Sequence, residues 1–124
     1  MSTFTILLVE DDFDVREALV ETLREIGYNV DAASDGAQAL EYLRDGGRPA
    51  LILLDLMMPR MSGSEFRMAQ KVDPQLADLP VVLISADGRM EEKARTLETH
   101  GAIKKPIDVD ELLSTVERFN KKAS

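Results

Sequence analysis

Leu51-Ile52-Leu53-Leu54-Asp55-Leu56-Met57-Met58-Pro59-Arg60-Met61-Ser62-Gly63 is the stretch from which the fold can be read. Its first four residues are apolar without a break. They are too few for a helix and lack the polar alternation of a half-exposed strand, so they predict a strand buried on both faces. The run stops on an acid, Asp55. Two other runs have the same character: Ile6-Leu7-Leu8-Val9, followed by Glu10-Asp11-Asp12, and Val81-Val82-Leu83-Ile84, followed by Ser85.

Helical patterns separate these runs. Val15, Ala18, Leu19, Thr22, Leu23 and Ile26 recur at the spacing of a helix with one inward face. Ala37, Leu40 and Leu43 repeat the pattern before Leu51, Met90, Ala94 and Leu97 after Ile84, and Val109, Leu112, Leu113 and Val116 near the end. Only Ser62 to Val72 is weakly patterned. Two lesser strands, Asn29 to Ala33 and Ala102-Ile103, suit sheet edges, where burial is partial. Strands alternating with helices predict a doubly wound α/β fold, a five-stranded parallel sheet with helices on both faces. With the weaker strands at the edges, the strand order is the flavodoxin-like (βα)5 order 2-1-3-4-5.

At 124 residues the chain is expected to be one domain, with no room for a second. It has no cysteine, which excludes a disulfide framework or a thiolate zinc site and makes a reducing cytoplasm the expected compartment. Met1-Ser2-Thr3-Phe4 lacks the features of a signal peptide, and no apolar run is long enough to span a bilayer, so a soluble protein without membrane contact is expected. The net charge of -8 has the wrong sign for gripping a phosphate backbone, which argues against direct nucleic-acid binding.

In an open parallel sheet, ligands sit beyond the carboxyl ends of the strands, where the strand order reverses. That rule gathers Glu10, Asp11, Asp12, Asp55, Ser85 and Lys105 on one rim. Acids after a strand commonly cap the next helix, and Asp12 or Asp14 is expected to do so. Asp55 on the neighbouring strand changes the balance, because two carboxylates ~4 Å apart repel by about 4 kcal/mol at an effective dielectric of ~20. A hard divalent ion such as Mg²⁺ would relieve that repulsion, and a purely structural acidic cluster is the alternative. Lys105 is either a solvated lysine or a point charge for Asp55 and a phosphoryl oxygen, on a Lys105-Pro106 bond that can be trans or cis. Ser85 either caps a nearby amide or donates to a phosphoryl group. Together these parts suit phosphoryl transfer, with Asp55 as nucleophile.

Glu10-Asp11-Asp12, the Asp55 to Gly63 segment, Ser85-Ala86 and Lys105-Pro106 together resemble the receiver domain of two-component response regulators, over about residues 4–120 of a 1–124 domain. The resemblance implies that Asp55 is the phosphoacceptor, charged by a histidine kinase or histidine phosphotransfer protein. It implies Mg²⁺ or Mn²⁺ held by Glu10, Asp11, Asp55 and the Met57 carbonyl, with Glu10 acting through water. Ser85 stands at the switch hydroxyl, Lys105 at the phosphate contact, and Pro59 and Gly63 at the turn into the third helix. The implied protein is a stand-alone switch that catalyses its own phosphoryl transfer and slow dephosphorylation, and is not a turnover enzyme. Its downstream protein target would be met by the face of helix four, strand five and helix five. Ala102 departs from the pattern, since the family usually has an aromatic three places before the lysine, and this puts the usual aromatic coupling in doubt. Met57 and Asp87 occupy positions that tune phosphoryl lifetime. Asp87 leaves two roles open, orienting a water or repelling a phosphatase carboxylate.

His100, the only histidine, is read as a solvent-facing residue at the end of helix four. A haloacid dehalogenase-type phosphatase would want an acid where Met57 stands. A flavin phosphate would find a poor cradle among carboxylates. A receiver fold that binds proteins without phosphate is the remaining rival, and Ala102 keeps it open.

Overall fold

The computed structural model describes residues 4–58 and 60–123. Its elements are β1 (Thr5–Val9), α1 (Phe13–Ile26), β2 (Asn29–Ala33), α2 (Gly36–Arg44), β3 (Leu51–Asp55), α3 (Gly63–Lys71), β4 (Val81–Ser85), α4 (Met90–Thr96), β5 (Gly101–Lys104) and α5 (Val109–Ala123). All neighbouring strands pair in parallel, in the order β2-β1-β3-β4-β5, as the burial argument for the edges requires. Pro59, assigned above to the turn before α3, lies outside the described residues.

The uninterrupted apolar runs arise because successive side chains of a strand point to opposite faces and both faces are covered. Ile6, Leu8, Leu51, Leu53, Val82 and Ile84 pack with Leu19, Val20 and Leu23 of α1 and with Leu112, Val116 and Phe119 of α5. Leu7, Val9, Ile52, Leu54 and Leu83 pack on the other side with Leu40 and Leu43 of α2, Phe66 of α3 and Leu97. Among the described residues no helix is long and apolar enough to cross a membrane.

Three helices differ in detail from the sequence expectation. In α1 the inward residues are Leu19, Val20 and Leu23, while Ala18 and Ile26 are exposed. In α2, Gly36 and Ala39 face inward and Ala37 faces out. Alanine costs little on either face, so it marks a helix's phase poorly. The weakly patterned segment Ser62 to Val72 contains a regular helix, α3, started by a reciprocal capping box between Ser62 and Glu65. Its apolar period is broken because Arg67 and Gln70 occupy buried positions.

Candidate functional site

Each strand that ends on the rim hands over to a helix within a few residues, and local chemistry sets the direction of each turn. After β1, Asp12 caps α1 by accepting Val15 N at 3.1 Å. Arg16 reaches back one turn and donates Nη1 to Glu10 O at 2.9 Å and to Asp11 O at 3.4 Å, with the Phe13 ring against its guanidinium. After β3, Gly63 N returns to Leu56 O at 3.1 Å, drawing the start of α3 against the strand end. A Cβ at position 63 would run into Asp55 O and lie 2.8 Å from Leu56 Cα, so this approach requires glycine. The loop between is tied to the start of α2: Gly36 N donates to Met61 O at 3.1 Å, and Arg60, at φ +65°, donates Nε at 2.8 Å to the buried Asp35 carboxylate. Burial pushes the Asp35 carboxyl up, but hydrogen bonds from Gln38 N and Arg60 outweigh it and hold the group below its ordinary range.

These turns bring Glu10, Asp11 and Asp55 together, each offering a carboxylate oxygen within 4.8 Å of the others. Glu10 and Asp55 are buried and Asp11 is exposed. Lys105 faces the pair, with Nζ at 2.6 Å from Glu10 Oε1 and 3.5 Å from Asp55 Oδ2. Met57 N donates to Asp55 Oδ1 at 3.2 Å, which places residue 57 on the same rim, with its side chain in solvent. The Lys105-Pro106 bond is cis.

Ser85, fully buried, uses its Oγ to accept Asp87 N at 3.0 Å, so the capping role is present and the hydroxyl proton remains for another acceptor. The Asp87 carboxylate is engaged with Lys93 Nζ at 2.9 Å and Arg89 N at 2.8 Å, which hold its pKa below the ordinary value. His100 is exposed, as expected, yet its Nδ1 accepts Val81 N at 3.0 Å and its ring meets Phe119 edge-on. Ala102 is half-buried on β5.

The electrostatics of the rim are unbalanced. Burial, followed by the charge of Glu10, pushes the Asp55 carboxyl up to about 7, against the opposing pull of Lys105 and Met57 N. Burial works against the Lys105 ammonium, but its close approach to Glu10 and the charge of Asp55 prevail and raise its pKa. Glu10 Oε1 is buried and receives no directed hydrogen bond; it meets only the charge of Lys105. Three carboxylates thus face one ammonium. An all-oxygen donor set with surplus negative charge, part of it open to solvent at Asp11, fits a hard divalent cation that keeps several waters. Beside the rim, Val15, Ala18, Leu19, Lys105, Pro106 and Ile107 line an apolar groove of about 250 Å³, and this is where the exposed Ala18 of α1 is used.

Arg16 and the Asp35–Arg60 pair went unnoticed in the sequence. Ser34-Asp35-Gly36 ahead of an apolar pattern carries an N-cap signal that could have exposed Asp35. Nothing local marks Arg60 as its partner across 25 residues.

A family model for the response regulator receiver domain matches residues 6–117. Response regulator MprA of Mycobacterium sp. (strain KMS) is 34% identical over 122 residues, which cover 96% of this chain and 51% of that protein. The chain spans about half the length of the curated relatives it matches. Chemotaxis protein CheY4 of Vibrio cholerae superposes with a TM-score of 0.86 at 28% identity, over 95% of this chain and 99% of that one. Response regulator TrrA of Thermotoga maritima, solved in complex with Mg²⁺-BeF, does so with a TM-score of 0.83 at 29% identity, over 94% and 99% of the two chains.

Proposed function

The chain belongs to the response regulator receiver family of two-component signalling, and from that premise we propose that it is a switch that takes a phosphoryl group onto Asp55 in a Mg²⁺-dependent reaction. The observation that carries this reading is the convergence of Glu10, Asp11 and Asp55 opposite Lys105, a site with more negative charge than its own residues neutralise. Glu10, Asp11, Asp55 and the Met57 carbonyl would hold the ion. Mg²⁺ or Mn²⁺ would absorb charge on the phosphoryl oxygens as they approach a carboxylate.

The donor is a phosphohistidine on a histidine kinase or histidine phosphotransfer protein. An Asp55 carboxylate oxygen forms the new P–O bond in line with the breaking P–N bond, and the imidazole departs with its electron pair and takes up a proton. Lys105, released from its ion pair with Asp55, follows the charge onto a phosphoryl oxygen. Ser85 donates its hydroxyl proton to another. The apolar groove beside Lys105 gives the donor protein a surface to rest on while its histidine reaches the rim. The protein catalyses this transfer and the later hydrolysis of its own acyl phosphate, and acts on no further substrate. The phosphorylated form regulates a separate protein partner.

Intact mass after incubation with acetyl phosphate tests the chemistry. A single phosphoryl adduct is expected with Mg²⁺, and none with a chelator or in Asp55→Asn. An adduct that persists in Asp55→Asn would sink the assignment of the nucleophile. Folded, Mg²⁺-binding protein that takes no phosphoryl group from acetyl phosphate or any histidine kinase would leave the phosphate-independent binding module as the function.

A further inference from the structure

On the metal reading of the rim, Met57 contributes its backbone carbonyl, and its side chain, 65% exposed, does nothing to hold that carbonyl in place. Its own tie to the site is the N–H that it donates to Asp55 Oδ1. The loop that carries it is closed at the base by Gly63 N on Leu56 O. Arg60 and Met61, between Met57 and that closure, lean on the start of α2 instead. Gly36 N donates to Met61 O, and a Cβ at position 36 would lie 2.7 Å from that oxygen and 2.8 Å from Met61 Cγ. The loop and the helix start therefore approach more closely than a side chain at position 36 would allow.

Arg60 joins this contact in an unfavourable backbone conformation. Its φ of +65° lies in the left-handed region, where a Cβ crowds the neighbouring carbonyl and glycine is the ordinary occupant. Its side chain is 66% exposed, so apolar packing does not offset the strain. The Asp35 carboxylate does. Only 4% of Asp35 is exposed; its Oδ2 accepts Arg60 Nε at 2.8 Å and Nη2 at 2.5 Å, while its Oδ1 accepts Gln38 N at 2.8 Å and caps α2. Two charge-assisted bonds thus converge on one buried oxygen, and withdrawing the guanidinium would leave a buried charge without its counterion. Strain that persists because the surroundings over-determine it clusters where geometry matters to function.

We propose that Arg60 is a positioning residue: clamped to Asp35 at the start of α2, it holds the β3–α3 loop in the path that presents the Met57 carbonyl to a divalent cation beside Asp11 and Asp55. The rival account is that Arg60 and Asp35 act on the ion only as charges. The two differ in sign. As a charge, Arg60 repels a cation, and removing it would tighten binding; as a clamp, its removal weakens binding. Removing the Asp35 charge weakens binding on either account, so Arg60 is the deciding residue. The consequence at the ion rests on the metal reading of the rim, while the hold on the loop does not.

Calorimetric titration with Mg²⁺, beside urea titrations that establish folding, separates the two accounts. Arg60→Met keeps the stem and loses the clamp, and is expected to weaken Mg²⁺ binding about tenfold, the usual scale for removing a group that orients a metal ligand. Arg60→Gly relieves the backbone but frees the loop, and should act in the same direction. Asp35→Asn keeps an acceptor for Gln38 N and should weaken binding by a similar factor, and the double variant Asp35→Asn/Arg60→Met no further than the worse single one. Mg²⁺ binding that is unchanged or tighter in both Arg60 variants would overturn the proposal whatever their stability, and so would additive losses in the double variant. Amide hydrogen exchange in metal-free protein reads the loop directly. Arg60→Met should speed exchange at Gly36 and Met57 at least about tenfold and leave Leu112, whose N–H is bonded to Asp108 O far from the loop, unchanged. Equal rates at Gly36 and Met57 with and without the guanidinium would overturn the clamp. Unmodified protein that binds no Mg²⁺ would count against the metal reading alone and leave these rates to decide the clamp.

Discussion

At the carboxyl end of β3, Asp55 lies buried beside Glu10 with Lys105 between them; on the inward face of α3, Arg67 and Gln70 lie buried against the end of α4. Both places take charge out of water, and they settle its cost differently. Each Arg67 nitrogen donates to a carbonyl or amide oxygen, and Gln70 passes its own donors on to two further carbonyls. At the rim, a buried Glu10 oxygen has no directed donor and Asp55 is pushed up to about 7. A satisfied buried network specifies structure, whereas an unsatisfied one stores a preference for something that is not yet bound. The difference separates a structural polar core from a functional site without appeal to sequence similarity.

Breaking the satisfied network should do the most damage. Arg67→Ala strands Leu97 O, Glu98 O and Gln70 Oε1 and opens a cavity, and is expected to lower unfolding free energy by about 3 kcal/mol in urea titrations. Arg67→Leu/Gln70→Leu keeps most of the volume but strands four backbone carbonyls, those of Leu97, Glu98, Leu76 and Leu79, and is expected to cost at least as much. A double variant distinctly more stable than Arg67→Ala would refute the view that satisfaction of those carbonyls, and not the volume filled, is what counts there.

α3 joins the two regions, starting against Asp55 O and carrying Arg67 four residues later. Gly63→Ala forces a methyl into the strand end, and about 2 kcal/mol of destabilisation is expected, together with weaker Mg²⁺ binding by calorimetry. Loss of stability with unchanged Mg²⁺ affinity would show that the rim does not depend on how closely α3 approaches.

The same contrast explains what could be read in the sequence. Strand order and the rim followed from apolar runs that each end on a chemistry-bearing residue, because burial on both faces leaves an uninterrupted pattern. Arg67 and Gln70 erased the pattern of α3 by standing where apolar residues were expected, and their partners, Leu97 O and Glu98 O, are backbone groups about 30 residues away that no side-chain pattern announces. Arg16 was hidden for a similar reason, since it acts on carbonyls. Ala18 was assigned to the core when it belongs to a groove, because alanine carries too little preference to show which way a helix is turned. The strand-end acids, Ser85 and Lys105 were legible from where the apolar runs stop; Arg16 and Arg67, which act on carbonyls, and Arg60, which reaches Asp35 across 25 residues, were not.

Neutralising the unsatisfied site should have the opposite sign. Without metal at pH 8, Asp55→Asn removes a carboxylate that burial and Glu10 both disfavour, and is expected to stabilise the fold by about 1–2 kcal/mol in urea. Saturating Mg²⁺ should reverse the ranking of the two proteins. A destabilised Asp55→Asn in metal-free buffer would mean that the ion pair with Lys105 outweighs the strain of the rim.

The smallest effect concerns pH. The folded-state value of about 7 for Asp55 lies above the ordinary 3.8 that applies to the unfolded chain, so between these values the folded protein keeps a proton that the unfolded chain has lost. Stability contributed by this group must therefore fall as pH rises through that window and level off above about 7, by about 1 kcal/mol between pH ~6 and ~8. Mg²⁺ binds only the deprotonated rim, lowers the folded-state value, and should flatten the slope while raising stability at pH ~8 in proportion to the logarithm of its concentration once saturating. Subtracting the Asp55→Asn curve cancels the titrating groups that do not face Asp55. If the subtracted slope were zero without metal, Asp55 would already be charged near neutrality, and the rim would be as well satisfied as the Arg67 network.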